Sequence, residues 1–472
     1  MKRFLSSKIS VIGILIFLLM IGLGFIRSTV AERQAASNGV MNGIAREHVG
    51  PQSLIGPVVM VPVREVFPCE GHADKTCGRT GWVSLMPERV DWSGVLNVEE
   101  GAYQRGIYKA ISYRGDLVAQ GRFDAARLTA ALSPQEVADW SRAEVRVYLA
   151  DMRGMASPPE LTAAHYRGRM DFPAREEYNP LGMSYTRLTL GDQAQAVLNG
   201  DFRVSFRMEG LGGIQLLPVG KDVRWTLRSN WPDAGYHGAA LPAKTRAQGA
   251  YQADWSNSYV ASRNTRWLDS CLDEADANAC NQLRARLGLA KDGSQPFVSQ
   301  APSDNGGAEG GVFGVRFIRA VDVYLMTDRA LKYAALFLMI SFGGFFLFEI
   351  LRQLRIHPVQ YTLVGLAQGV FYLLLLSFSE HMSFGVSYAV SAAACLLLIM
   401  FYLSYVLQGI VRSFIFTGIM AALYFILFLI LQSEDYTLML GSILVFLLLA
   451  VTMVLTRRVD WYAEDGVAAR TV

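Results

Sequence analysis

Between Ile9 and Ile26 the chain runs for 18 residues without a charge, directly behind Lys2, Arg3 and Lys8. At 1.5 Å per residue, a helix of that length crosses most of the ~30 Å hydrocarbon layer of a bilayer. A cleaved signal peptide would instead show an apolar region of about 7 to 15 residues and then a small-x-small site. Here Arg27 follows directly, so the run reads as a retained membrane anchor.

A second apolar territory opens near Ala330 in five blocks: 333–348, 359–378, 384–407, 413–431 and 436–455. The polar breaks between them are short. Because backbone amides in lipid must be satisfied within their own segment, blocks of this length read as helices. With the anchor, the expected architecture is a membrane protein with a six-helix transmembrane bundle, one helix N-terminal and five C-terminal. Six spans place Lys2, Arg3, Lys8, Arg352, Arg355, Arg412, Arg457, Arg458 and Arg470 on one side, while the loops at 379–382 and 432–435 hold no Lys or Arg. The positive-inside rule makes that side cytoplasmic. The expected division is a cytoplasmic N-terminus (1–8), helix 1 (9–26), a large β-rich periplasmic domain inserted between helices 1 and 2 (27–330), helices 2–6 (331–456) and a cytoplasmic C-terminus (457–472).

The insertion has room for a substantial core. Val58–Val63, Gly106–Tyr113, Glu144–Leu149, Phe202–Met208 and Val223–Leu227 are β-branched or aromatic runs between turn signals, a spacing that suggests sandwich-like sheets. Gly210-Leu211-Gly212-Gly213 reads as a turn. Ser28–Glu47 could extend the first span as a helix. Ser133-Pro134-Gln135-Glu136 has the order of a helix start, with Ser as cap and Pro in the first turn. The segment 292–311, rich in Gly, Ser, Asp and Pro, reads as a disordered loop. Cys69 and Cys77 are eight apart and Cys271 and Cys280 nine apart. In an oxidising compartment the economical assignment is two local disulfides, although four cysteines permit three connectivities. Zinc is the alternative, but the usual C-x₂₋₄-C spacing is absent. Cys395 reads as a small packing residue.

Little in the chain points to catalysis. Phosphate-loop, dinucleotide, metalloprotease and nucleophile-elbow motifs are all missing, and the six histidines are scattered. No cofactor or metal is expected. With 44 Lys+Arg against 41 Asp+Glu, the charge is too balanced for nucleic acid to be a partner. The stretches 359–378, 382–411, 413–431 and 436–456 hold no Asp, Glu, Lys or Arg, which disfavours an ion-coupled pump. Gln360, Gln368 and the membrane serines read first as helix-to-helix hydrogen-bonding groups and otherwise as a polar path. Glu380-His381 and Glu434-Asp435 place acidic groups at the outer boundary, and Trp231 before Pro232 could be a packing or interface anchor.

Several segments carry a family resemblance. They include Gly50-Pro51-Gln52-Ser53-Leu54-Ile55-Gly56-Pro57, Arg228-Ser229-Asn230-Trp231-Pro232, Leu241-Pro242-Ala243-Lys244 and Thr327-Asp328-Arg329-Ala330-Leu331-Lys332-Tyr333-Ala334. In the membrane half, His357-Pro358-Val359-Gln360-Tyr361-Thr362-Leu363-Val364-Gly365, Phe371-Tyr372-Leu373-Leu374-Leu375-Leu376, Ser379-Glu380-His381 and Thr456-Arg457-Arg458-Val459-Asp460-Trp461-Tyr462 continue the pattern. In this order and spacing the chain resembles the CreD inner-membrane proteins over nearly its whole length. The cysteine loops lie outside that pattern. The resemblance implies a cell-envelope integrity protein of Gram-negative bacteria, a target of the CreBC two-component system linked to colicin tolerance and β-lactam response. It brings no reaction, ligand or catalytic residue.

The expectation is therefore a non-enzymatic protein of the inner membrane, whose partners are the phospholipid bilayer and an envelope component or protein bound by the outer domain. Its possible interface residues are Trp231, Glu380, His381, Glu434 and Asp435. A transporter or channel for a lipid or peptide would need a groove among the membrane helices. A membrane-bound envelope hydrolase would need a cleft of clustered polar groups outside.

Overall fold

The computed structural model describes residues 2–69, 72–163, 165–173, 179–232, 234–247, 250–289, 311–319, 322–352, 356–406, 409–433 and 437–457. Two compact units emerge, one of Ser37–Ala320 and one of Met1–Ala36 with Val321–Val472. The strands are β1 (Gln52–Cys69), β2 (His72–Leu85), β3 (Arg89–Arg105), β4 (Tyr108–Arg122), β5 (Glu136–Ala138), β6 (Glu144–Leu149), β7 (Glu160–Ala163), β8 (Tyr166–Arg169), β9 (Ser184–Thr189), β10 (Asp201–Leu211), β11 (Gly213–Leu217), β12 (Asp222–Ser229), β13 (Ala234–Gly238), β14 (Ala243–Ala247), β15 (Ala250–Ser256) and β16 (Phe313–Phe317). The helices are α1 (Lys2–Glu47), α2 (Ala125–Ala131), α3 (Ala194–Leu198), α4 (Ser258–Asp273), α5 (Ala277–Arg286), α6 (Val323–Arg352), α7 (Pro358–Ser379), α8 (Phe384–Val406), α9 (Ile410–Gln432) and α10 (Thr437–Thr456).

The β unit is built on two eight-stranded sheets. One, called here the covered sheet, runs β13-β16-β11-β1-β6-β9, with β2 and β5 also pairing with β1; the other, the open sheet, runs β14-β15-β12-β3-β4-β10-β7-β8. Each of the five runs read as β falls on a strand or its hairpin. The sheets face each other across one apolar core that joins Val59, Val61 and Val147 of the covered sheet to Trp92, Phe206 and Trp225 of the open one. The back of the covered sheet is buried as well. There Ile55, Met60 and Tyr148 pack against Leu268, Leu272 and Leu283 of the α4–α5 pair. This explains why β6 and β11 are buried at every position, whereas β12 and the first half of β3, which pair parallel in the open sheet, alternate as strands with one solvated face do.

β1 changes face partway along. Leu54 points into the sandwich core and Ile55 to the back, yet beyond the bulge between Ile55 and Val58 it is Val59 and Val61 that point inward. The bulged residues, Gly56 and Pro57, are among those carrying the family resemblance. Gly212, at φ +72°, turns the chain from β10 in the open sheet to β11 in the covered one, so the glycine cluster is a turn as expected.

Ser133-Pro134-Gln135-Glu136 does not start a helix. The Glu136 carboxylate does accept a hydrogen bond from the Ser133 N–H at 2.8 Å, which is half of a capping box. The chain then enters β5 because Glu136, Val137 and Ala138 pair with Glu65, Arg64 and Val63 of β1. Cross-strand pairing outweighs the local helix signal. The segment 292–311 lies outside the described residues except for Gly311.

α1 is a single helix of 46 residues that runs through the apolar anchor to Glu47, as Ser28–Glu47 suggested. α6 begins at Val323, almost three turns before the apolar block. Both helices outlast their apolar runs because polar groups pair there: Arg27 donates to Asp328 at 2.9 Å, and Lys332 holds the other oxygen of the same carboxylate at 2.9 Å. Five helices, not the six expected, are long and apolar enough to cross a membrane among the described residues: α1, α6, α7, α8 and α9. The sixth expected span corresponds to α10, which is helical over 20 residues; part of its side chains lies outside the described set. α7 opens with His357 and Gln360 forming a reciprocal capping box and Pro358 in the first turn. At Gly365 a Cβ would run into Leu19 of α1 and Phe342 of α6, so the glycine is what lets three helices approach.

Candidate functional site

The outward face of the open sheet follows from strand alternation. With Trp92, Phe206 and Trp225 turned inward, their neighbours must turn out, and these are charged or polar: Asp91, Asn97, Arg114, Asp116, Arg203, Arg207 and Arg228. Two clefts open on this face. One of about 870 Å³ is bounded by Arg89, Asp91, Arg122, Arg203 and Lys221. The other, of about 700 Å³, is bounded by His48, Asn97, Arg114, Asp116, Arg207 and Glu209. Ion pairs fix some of the charges: Arg114 with Glu209 at 3.1 Å, Arg207 with Asp116 at 3.2 Å and Arg89 with Asp91 at 2.9 Å. At these exposed positions the pairs hold side chains in place more than they stabilise the fold. The result is a broad face offering cations and carboxylates side by side.

A second feature lies where α4 covers β2. Asp269 and Asp273 stand four residues apart on α4, which brings them to one side of the helix. Ser84 serves both: its hydroxyl donates to Asp269 at 2.8 Å and its N–H to Asp273 at 2.7 Å. Burial pushes Asp269 up to about 6. Asp273 rises to about 7, through burial and then through the neighbouring Asp269 charge. The i, i+4 acids on an amphipathic helix were the available signal, but sequence does not show which helix face is covered.

Two further polar groups are embedded in the covered sheet. Arg146 is fully buried, bonded to Glu144 at 2.9 Å and stacked over Trp82 and Tyr185, and Glu144 also holds Arg187 at 3.1 Å. His237 sits 3.3 Å from Gln215, whose amide donates to Ser53 at 2.8 Å. Burial and then the charge of Arg316 lower His237 to about 4, so it is neutral at ordinary pH. Both groups hold strands together.

The residues singled out from sequence each have their own surroundings within their unit. Cys271 and Cys280 form a disulfide linking α4 to α5. Cys77 is disulfide-bonded; it lies on β2 across the β1 hairpin from Phe67, and the side chain of Cys69 falls outside the described residues. Trp231 is half-buried and donates its indole N–H to the Ile318 carbonyl at 2.8 Å, so it ties β12 to the end of β16. Its neighbour Asn230 accepts from the Val98 N–H at 2.7 Å and donates back to the Val98 carbonyl at 3.0 Å, mimicking a strand. Glu380 caps the end of α7, where it accepts from the Tyr324 hydroxyl at 3.2 Å and faces Arg33 at 3.9 Å. His381 is exposed. Glu434 and Asp435 lie outside the described residues.

The helix interior departs from expectation. Gln360 is used in the α7 cap, and Ser341, Ser379, Ser387 and Ser413 donate to carbonyls of their own helices. Bonds between helices come instead from Tyr361, which donates to the Glu349 carboxylate at 2.9 Å, from Tyr388, which donates to the Tyr424 carbonyl at 2.7 Å, and from Cys395, which contacts the Ala367 carbonyl at 3.2 Å and the Tyr424 hydroxyl at 3.3 Å. Cys395 is a free thiol.

Comparison with known proteins places this architecture. The family model described as inner membrane protein CreD matches residues 4–462. A protein of that name from Escherichia coli (strain K12) is 30% identical over 454 residues, covering 95% of this chain and 92% of the relative. Among solved structures, an M1 zinc metallopeptidase from Deinococcus radiodurans overlays 36% of this chain and 38% of its own at 13% identity and a TM-score of 0.17. A variant of that enzyme gives 12% identity and the same score; neither overlay supports a shared fold. With the family model and the bacterial relative both spanning nearly the whole sequence, the chain belongs to the CreD family of inner membrane proteins.

Proposed function

We propose that the protein supports cell-envelope integrity by binding rather than catalysis, with residues 37–320 in the periplasm, both termini in the cytoplasm and α10 as the sixth span. The open face of the β sandwich is the effector surface, and its partner is an envelope component or protein that meets cations and carboxylates together. The single observation behind this reading is the asymmetry of the sandwich: one sheet is buried on both faces, while the other leaves a polar face with two clefts open. The distribution of Lys and Arg supports the orientation.

Two experiments test it. A reporter active only in the periplasm should work when fused after Glu380 and fail after Arg355; the reverse pattern refutes the orientation. Arg203→Glu, Arg207→Glu and Arg228→Glu, at unchanged abundance, should each raise detergent or β-lactam sensitivity by part of the effect of gene deletion, because interfaces divide their energy among a few strong and many near-neutral contacts. One folded, abundant variant as defective as the deletion would point to a catalytic residue instead.

A further inference from the structure

We propose that the core of α7, α8 and α9 is a binding pocket for a small uncharged hydroxylic ligand, either water or the free hydroxyl of a neutral lipid. Four buried polar atoms there have no hydrogen-bond partner among the described residues: Nε2 and Oε1 of Gln368, the hydroxyl of Tyr372 and Oγ of Ser391. Gln368 and Ser391 are 0% exposed and Tyr372 1%. They come from α7 and α8, at the level where both meet Tyr424 of α9. Gln368 and Tyr372 are four apart on α7, and Ser391 lies one turn from Cys395 on α8. Cys395 in turn meets Ala367 of α7 and Tyr424 of α9.

Gln368 sits at the middle of α7, and Tyr372 and Ser391 lie about two turns inside the nearer ends of their helices. In an apolar medium an amide or hydroxyl left without a partner is costly. Most hydroxyls in this unit avoid that cost by bonding within their own helix, as Ser341, Ser379 and Ser387 do. Ser391 does not, and Gln368 offers both a donor and an acceptor. The chemistry of the set defines its ligand. No charged residue lies between 382 and 411 or between 359 and 378, so an ion would find no counter-charge, whereas a hydroxyl can donate and accept at once. The pocket is independent of the sheet face proposed above.

X-ray radiolysis footprinting of the full chain in phosphatidylcholine nanodiscs reads it directly, because radicals formed from bound water oxidise adjacent side chains. Corrected for intrinsic reactivity, Tyr372 and Tyr424 should be oxidised at least about fivefold faster than Phe342 and Phe345, which are equally buried but lie at the level of Tyr361. The double variant Gln368→Leu with Ser391→Ala should remove most of that excess. Adding diacylglycerol to the discs separates the two sources: an unchanged excess identifies water, and a suppressed one identifies the lipid hydroxyl. Oxidation no faster than at Phe342 in the wild-type chain, with no diacylglycerol retained on it in native mass spectrometry, overturns the proposal.

Discussion

Replacing Asp273 by Asn should make the β unit more stable at pH 8 while changing little at pH 4. The carboxyl sits at about 7 in the folded chain against an ordinary 3.8, raised by burial and then by Asp269. A raised acid stabilises the fold fully below its unfolded value, and that contribution is lost as pH climbs to the folded value. Between pH 5 and pH 7 the loss spans about 2 units, or about 3 kcal/mol at 1.36 kcal/mol per unit. In a domain of this size that corresponds to roughly 6 °C in melting temperature. The Asn side chain keeps an oxygen able to accept the Ser84 N–H, so the 2.7 Å contact survives without the charge. Tryptophan-fluorescence melting of the full chain in detergent, at pH 5 and pH 8, measures the effect. The wild-type melting temperature should fall by several degrees more than that of Asp273→Asn over this interval. Equal pH slopes for the two proteins would refute the reasoning.

Glu144→Ala should cost more than Arg146→Met. The first strands a buried guanidinium and carries a penalty of about 3 to 5 kcal/mol, while the second leaves Glu144 paired with Arg187 at 3.1 Å; urea unfolding of the two variants gives the order. Cys271→Ser with Cys280→Ser should lower stability by roughly 2 to 3 kcal/mol, the loop-entropy value for a nine-residue separation, with reduction of the wild-type chain producing a matching drop in melting temperature.

What the sequence showed and hid follows from the range of each interaction. The apolar blocks were legible because a membrane imposes length and composition on every residue of a span. The strands of the open sheet were legible through alternation, and Val58–Val63 through its unbroken apolar character. Ser133-Pro134 misled because its cap geometry is local and half present, whereas the pairing of Ala138 with Val63 depends on a strand some seventy residues upstream. The hydrogen-bond partner of Trp231, the Ile318 carbonyl, is 87 residues away in sequence and so could not be read from its own segment. Ser84 and Asp273, 189 residues apart, could not be paired by reading either segment. Gln368 was singled out correctly as polar in lipid, but no pattern along α7 could reveal that the facing helices offer it no bond.

The unequal covering of the two sheets decides where such a chain can change over evolutionary time. Arg203, Arg207 and Arg228 project from strands whose inward neighbours alone make the core, so each can be exchanged while the sandwich keeps its packing. Recognition can therefore drift or be retargeted by single substitutions. Behind the covered sheet Arg146 lacks that liberty: a new residue there must be accepted at once by Trp82, Glu144 and Tyr185. One sheet is thus the inherited frame, and the other is free to follow whatever the envelope presents.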